Sequence, residues 1–152
     1  MELVNNSVDG EQYAFNSHAI ERIPRLYNLV KGTVALMVLG GPGLGKSTCL
    51  NHIVQFCLGT SRLPSIFEVG SAISHTTKGC QVQSRPLSYK EHQITLIDLE
   101  AFGETEASET AERQESLLSD MLTVASVPCI LVKNYRESLR FVDKIIAKMV
   151  EL

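Results

Sequence analysis

Thr33-Val34-Ala35-Leu36-Met37-Val38-Leu39-Gly40-Gly41-Pro42-Gly43-Leu44-Gly45-Lys46-Ser47-Thr48 decides the fold. Its first half is a continuous apolar run opened by Thr33 and the β-branched Val34, which suits a central strand buried on both faces. The glycines that follow end the strand, because they admit backbone conformations closed to other residues. Beyond them Leu50, Ile53, Val54, Cys57 and Leu58 fall at i, i+3, i+4, i+7 and i+8, the spacing of one helical face. Gly59 then supplies a left-handed stop. Strand, glycine turn and helix in this order predict an α/β unit that binds its ligand beyond the carboxyl end of the strand.

Outward from this unit the same class of pattern continues. Leu3-Val4 and Tyr13-Ala14-Phe15 flank a polar stretch containing Asp9-Gly10, which predicts a hairpin with a long loop. Asn16 or Ser17 can cap a helix in which Ala19, Ile20, Ile23, Leu26, Tyr27 and Val30 recur, with Pro24 kinking or interrupting it. Residues 66–69, 79–85 and 94–97 read as strands, the last ending at Asp98. Ser108 can cap a helix running through Leu117, Leu118, Met121, Leu122 and Ala125. Cys129–Val132 gives a further strand with Pro128 at its start, and a last helix carries Leu139, Val142, Ile146 and Met149. Strands alternating with helices predict a mostly parallel sheet flanked by helices, with 1–32 as an N-terminal hairpin and helix and 33–152 as the core.

Bulk properties narrow the class. A chain of 152 residues can bury roughly 70% of its unfolded surface and needs no staples. A formal charge of −3 without a basic block gives no general attraction to nucleic acid. Cys49, Cys57, Cys80 and Cys129 are scattered and form no C-x-x-C pair, which fits reduced thiols in a cytoplasmic protein. The run Val34–Leu39 is far short of the ~20 apolar residues that cross a bilayer.

Gly40, Gly41, Pro42, Gly43, Leu44, Gly45, Lys46 and Ser47 satisfy G-x-x-x-x-G-K-S/T, and Thr48 closes the nucleotide-binding segment without a contact of its own. This pattern predicts a P-loop NTPase fold. Glycines let backbone amides turn inward as an anion nest, and the following helix adds the positive end of its dipole. Lys46 then reaches the β- and γ-phosphates, and the Ser47 hydroxyl ligates Mg²⁺. Asp98, at a strand end about fifty residues on, suits the carboxylate that holds the metal's water shell. Thr77, in the polar stretch between them, can close on Mg²⁺ when a γ-phosphate is present, with Thr76 competing for that role. His18, His52 and His92 have no partners at ligand spacing and predict no zinc site. Glu104, Glu106, Glu109, Glu112 and Glu115 read as a solvated acidic approach to a helix.

The segment Val69-Gly70-Ser71-Ala72-Ile73-Ser74-His75-Thr76-Thr77-Lys78-Gly79, with Ile94–Asp98 and Leu99-Glu100-Ala101-Phe102-Gly103-Glu104, resembles the guanylate-binding protein and atlastin family of large dynamin-like GTPases. Leu3-Val4-Asn5-Asn6, Asp9-Gly10 and Ala14-Phe15-Asn16 match the pieces that precede the phosphate loop in that family. The resemblance implies a G domain, here incomplete, that binds Mg²⁺ and GTP. It places Thr77 as the first-switch metal ligand beside Ser47 and Asp98, makes Lys46, Thr77 and Glu100 the catalytic candidates, and implies dimerisation through the nucleotide face.

The family usually carries an arginine finger within its phosphate loop, where this chain has Gly43. Its D-x-E-G becomes Asp98-Leu99-Glu100-Ala101, and its serine two positions before the switch threonine becomes His75. By this alignment the chain holds neither the family's Arg-Asp base-recognition motif nor an N/T-K-x-D substitute. These departures predict slow or partner-dependent hydrolysis, since an arginine finger is worth roughly 10³–10⁵ in turnover. They also open the alternative of a degenerate G-domain remnant acting as an interaction module. The phosphate loop does not itself select the base, so an ATP-using enzyme is a third reading.

Overall fold

A computed structural model describes residues 3–5, 12–15, 22–69, 79–83, 85–101, 108–133 and 135–151. The strands are β1 (Leu3–Asn5), β2 (Gln12–Phe15), β3 (Val34–Gly40), β4 (Cys80–Gln83), β5 (Leu87–Tyr89), β6 (His92–Leu99) and β7 (Val127–Leu131). The helices are α1 (Arg22–Val30), α2 (Lys46–Leu58), α3 (Ser108–Val124) and α4 (Tyr135–Glu151). The strands form one sheet in the order β1-β2-β4-β6-β3-β7, with β5 paired to β6.

The expectation of a mostly parallel sheet needs correcting. Among the described residues only β3–β6 and β3–β7 are parallel, while β1–β2, β2–β4, β4–β6 and β5–β6 are antiparallel. For β4, β5 and β6 the reason is chain length between strands, whereas β2 joins β4 antiparallel across a long connection. A parallel return needs a crossover of a dozen residues or more. The stretch from Gln83 to His92 is too short for one, and part of it forms β5. The sheet is therefore mixed, with its parallel portion centred on β3.

Successive residues of a strand face opposite ways, so each central strand feeds two cores. On one face Ala35, Met37, Leu39, Cys80, Val82, Ile97 and Leu99 pack with Leu26 and Val30 of α1, with Leu117, Leu118 and Met121 of α3, and with Ile145 of α4. On the other, Val38, Leu87 and Leu96 pack with Leu50 and Val54 of α2 and with Phe67. The chain leaves β3 through α2 on one face and reaches β7 through α3 on the other. Such a reversal opens a crevice beyond the carboxyl ends of the parallel strands.

Several local expectations change. Residues 66–69 form no strand; the side chain of Asn51 takes the place of a neighbouring strand for Ile66 and Phe67. Pro24 lies in the first turn of α1, where its missing N–H is harmless, and the proposed caps Asn16 and Ser17 lie outside the described residues. Tyr27 is exposed rather than inward. Among the described side chains of α4, Ile145 is buried and Val142 half-buried, whereas Ile146 and Met149 face solvent; Leu139 lies outside the described side chains. The stop at Gly59 is as the sequence indicates: it takes φ 63° and its amide meets the carbonyls of Gln55 and Phe56.

Candidate functional site

β3 ends at Gly40, and the turn from Gly41 to Gly45 delivers the chain into α2. The turn depends on two glycines in the left-handed region, Gly43 at φ 69° and Gly45 at φ 79°. Gly45 is also the N-cap of α2, so no side chain there takes up the helix's first amides, and no acidic residue occupies the first turn. Those amides and the positive end of the helix dipole are left available to an anion. Gly40 is held for another reason. A β-carbon there would lie 2.8 Å from the Leu131 carbonyl oxygen of the neighbouring β7.

Lys46 opens α2 and is buried, its Nζ donating to the Gly41 carbonyl at 3.2 Å. The ammonium thus lies folded back over the turn. Burial lowers its pKa from the ordinary 10.5, against an opposing pull from the Asp98 carboxylate. A cation already stripped of water is primed for a polyanion, because most of the desolvation cost has been met by the fold.

Ser47 Oγ donates to Asp98 Oδ2 at 2.6 Å, joining the first turn of α2 to the end of β6. Asp98 is fully buried. A hydroxyl and a carboxylate in contact are the hard oxygen donors that suit magnesium, which prefers few protein ligands and keeps several waters. The two groups therefore fit that ion. Among the described residues no group of three or more His, Cys, Asp or Glu side chains gathers into a metal site of its own. Thr77, with Thr76 and His75, lies outside the described residues.

Glu100 is buried and doubly joined to Gly79: its amide donates to the Gly79 carbonyl at 2.8 Å, and its Oε2 accepts from the Gly79 amide at 2.5 Å. This pairing ties the residue just before β4 to the residue just after β6. Ala101 follows, its carbonyl accepting from Gln114 Nε2 of α3 at 3.1 Å. The structure thus brings Gly40–Thr48 and Asp98 together around one end of the sheet and commits Glu100 to the backbone at Gly79.

Sequence reasoning passed over Asn51, Gln81 and Gln114. For Asn51 a signal existed: a polar residue lying between Leu50 and Val54 on the buried arc of a helix needs internal partners. Nothing in the local pattern marks the other two. Neither a protein-family model nor a curated protein sequence matches the chain, so the functional reading rests on the residues and their arrangement. No helix among the described residues is long and apolar enough to cross a membrane.

Proposed function

We propose that this chain binds a magnesium–nucleoside triphosphate, GTP in preference to ATP, in the manner of the G domain of a guanylate-binding protein and atlastin type GTPase of the cytoplasm. The observation that carries the reading is the turn from Gly40 to Ser47. It combines two left-handed glycines, a helix start free of acidic or capping side chains, a desolvated lysine and a hydroxyl–carboxylate pair at one strand end. A P-loop NTPase fold accounts for all four together, and each is what a polyphosphate with a hard cation requires.

In this reading the backbone amides of Gly41 and Gly43–Lys46 would receive the phosphates, and the Lys46 ammonium would exchange the Gly41 carbonyl for phosphate oxygens. Ser47 would ligate the metal, Thr77 is the further ligand that the resemblance implies, and Asp98 would hold its waters. Magnesium supplies neutralisation of charge on the phosphoryl oxygens. Gly43, at the family's arginine position, is exposed, and hydrolysis is slow unless a partner, including a second copy of the chain in a nucleotide-dependent dimer, donates an arginine. The preference for guanine comes from the resemblance of residues 69–104.

Titration with a fluorescent GTP analogue in magnesium, with unlabelled ATP and GTP as competitors, tests the proposal. Loss of one charge-assisted contact is worth about 1.5–3 kcal/mol, so Lys46→Ala weakens binding by about tenfold or more. Absence of binding in the folded chain, or an unchanged affinity in Lys46→Ala, overturns the reading.

A second reading is a nucleotide-indifferent interaction module. It is favoured by Gly43, and by a Glu100 carboxylate already engaged with the Gly79 amide. A β-carbon at Gly43 would meet no atom within 4 Å, so Gly43→Arg starts without a clash at Cβ, at a conformational cost of about 1–2 kcal/mol for its left-handed φ. Faster GTP turnover in that variant supports the enzyme reading. A partner that binds equally well with and without nucleotide supports the module.

A further inference from the structure

Among the described residues, the side-chain amide oxygens of Gln81 and Gln83 are buried and accept no hydrogen bond. Both side chains are more than nine-tenths buried, in a strand covered on both faces. An unsatisfied buried amide is destabilising, and such groups in folded proteins usually have a water or ion to meet. Neither residue serves an apolar core, since Cys80 and Val82 are the positions of β4 that do.

The register gives Gln81 its neighbour. It lies directly opposite Asp98 in the β4–β6 pair, while Cys80 opposes Leu99 and Val82 opposes Ile97. Residues opposed in this way share a sheet face, with β-carbons about 4.5–5.5 Å apart. That face is the one covered by α2, because Leu96, in phase with Asp98, packs there with Leu50 and Val54. Gln81 thus stands on the far side of Asp98 from the core strand β3, where Val38 is the opposing residue.

We infer that Gln81 is a positioning residue for a divalent cation held at Ser47 and Asp98, its amide oxygen accepting a hydrogen bond from a metal-bound water. This inference rests on the proposed function. The chemistry selects an acceptor. A water whose oxygen is bound to a metal turns both hydrogens outward, so the groups around a hydrated magnesium must accept. A carboxylate and an unused amide oxygen side by side meet that demand, and the metal-free protein keeps the acceptor at a cost in stability. Gln83, two residues along the same face, extends the polar track away from the site.

The test is a cycle on the full chain: the affinity for fluorescent GDP and GTP in magnesium and in EDTA, for wild type, Gln81→Met and Gln81→Glu. Gln81→Met leaves the affinity in EDTA unchanged and reduces the tightening by magnesium about 3–10-fold, the worth of one hydrogen bond. The same variant raises the melting temperature in EDTA by about 2–4 °C, because the orphan oxygen is gone. Gln81→Glu does the reverse, lowering that temperature and enlarging the tightening. A tightening by magnesium equal to wild type in whichever of the two variants folds overturns the inference while leaving nucleotide binding intact. Failure of wild type to bind nucleotide at all overturns the function on which it rests.

Discussion

Replacing Asn51 by Ala is the sharpest probe of how the region beyond α2 is held. The Asn51 Nδ2 donates to the Phe67 carbonyl at 2.8 Å, and its Oδ1 accepts from the amides of Phe67 at 2.9 Å and Ile66 at 3.1 Å. Phe67 is wholly buried, and its two backbone groups have no route to solvent once the amide is gone. Each costs about 1–3 kcal/mol when left unpartnered. Ile66 is half-buried and recovers water, so the total is roughly 2–6 kcal/mol, a large share of the ~5–15 kcal/mol that stabilises a domain. Urea denaturation followed by far-ultraviolet dichroism measures the loss, which moves the midpoint and leaves the slope unchanged. Asn51→Asp separates hydrogen bonding from volume. At neutral pH its carboxylate faces the Phe67 carbonyl, whereas protonation restores a donor. The variant's folded pKa is raised, so its missing stability returns as pH falls through that value. A loss below about 1 kcal/mol in Asn51→Ala, or a pH-independent deficit in Asn51→Asp, refutes the assignment.

Three further outcomes follow from geometry. Gly40→Ala drives a methyl into the Leu131 carbonyl oxygen, 2.8 Å away, and destabilises by about 1–3 kcal/mol in chemical denaturation; a smaller loss at Gly43→Ala is expected, since only its φ resists. Lys46 has a folded pKa below 10.5 because its charge is buried, so the nucleotide-free chain gains stability as pH climbs through that lowered value. Nucleotide affinity falls over the same range as the ammonium is lost, and calorimetry in buffers of different ionisation enthalpy detects proton uptake on binding. Glu115 of α3 accepts from Lys144 of α4, and that hydrogen bond holds its pKa below the usual carboxylate range. The pair's stability is present above the ordinary carboxylate pKa and disappears as pH falls through the lowered value. Both groups are about half exposed, so a double-mutant cycle of Glu115→Gln with Lys144→Met gives under about 1 kcal/mol, shrinking in high salt.

The parts of this fold that could be read from the chain are those whose cause is local. The β3 strand, the glycine turn and α2 each follow from residues within one window, and so does β6, which runs one residue past the expected end at Asp98. The β1–β2 hairpin is legible, but the antiparallel partners of β6 are not, because direction depends on the connections and not on the strands themselves. β5 escaped notice because its turn, Lys90-Glu91, contains neither Gly nor Asn, although Lys90 adopts φ 53°. Ile66-Phe67 looked like a strand because it is apolar, but its polar partners come from a side chain 15 residues away. In α4 the spacing picks Ile146 and Met149 as inward, but the helix turns Ile145 into the core, while Val142 is half-buried as its spacing implies. The candidate site divides in the same way. The phosphate-loop residues and Asp98 announce themselves by spacing, while the contacts of Glu100 with Gly79 and of Gln114 with Ala101 exist only once distant segments meet.

The two-sided character of β6 limits how this protein can vary. Ile94, Leu96 and Asp98 share one side with α2, and Ile97 and Leu99 belong to the other. Removing or adding one residue anywhere from Gln93 to Ile97 would swap the parity, carrying the carboxylate into the greasy layer beneath α3 and setting Leu99 or Ile97 beside Ser47. Related chains can therefore exchange residues along this strand but cannot change its length by one. Indels belong instead at the Lys90-Glu91 bend, where an extra residue alters no inward or outward assignment downstream.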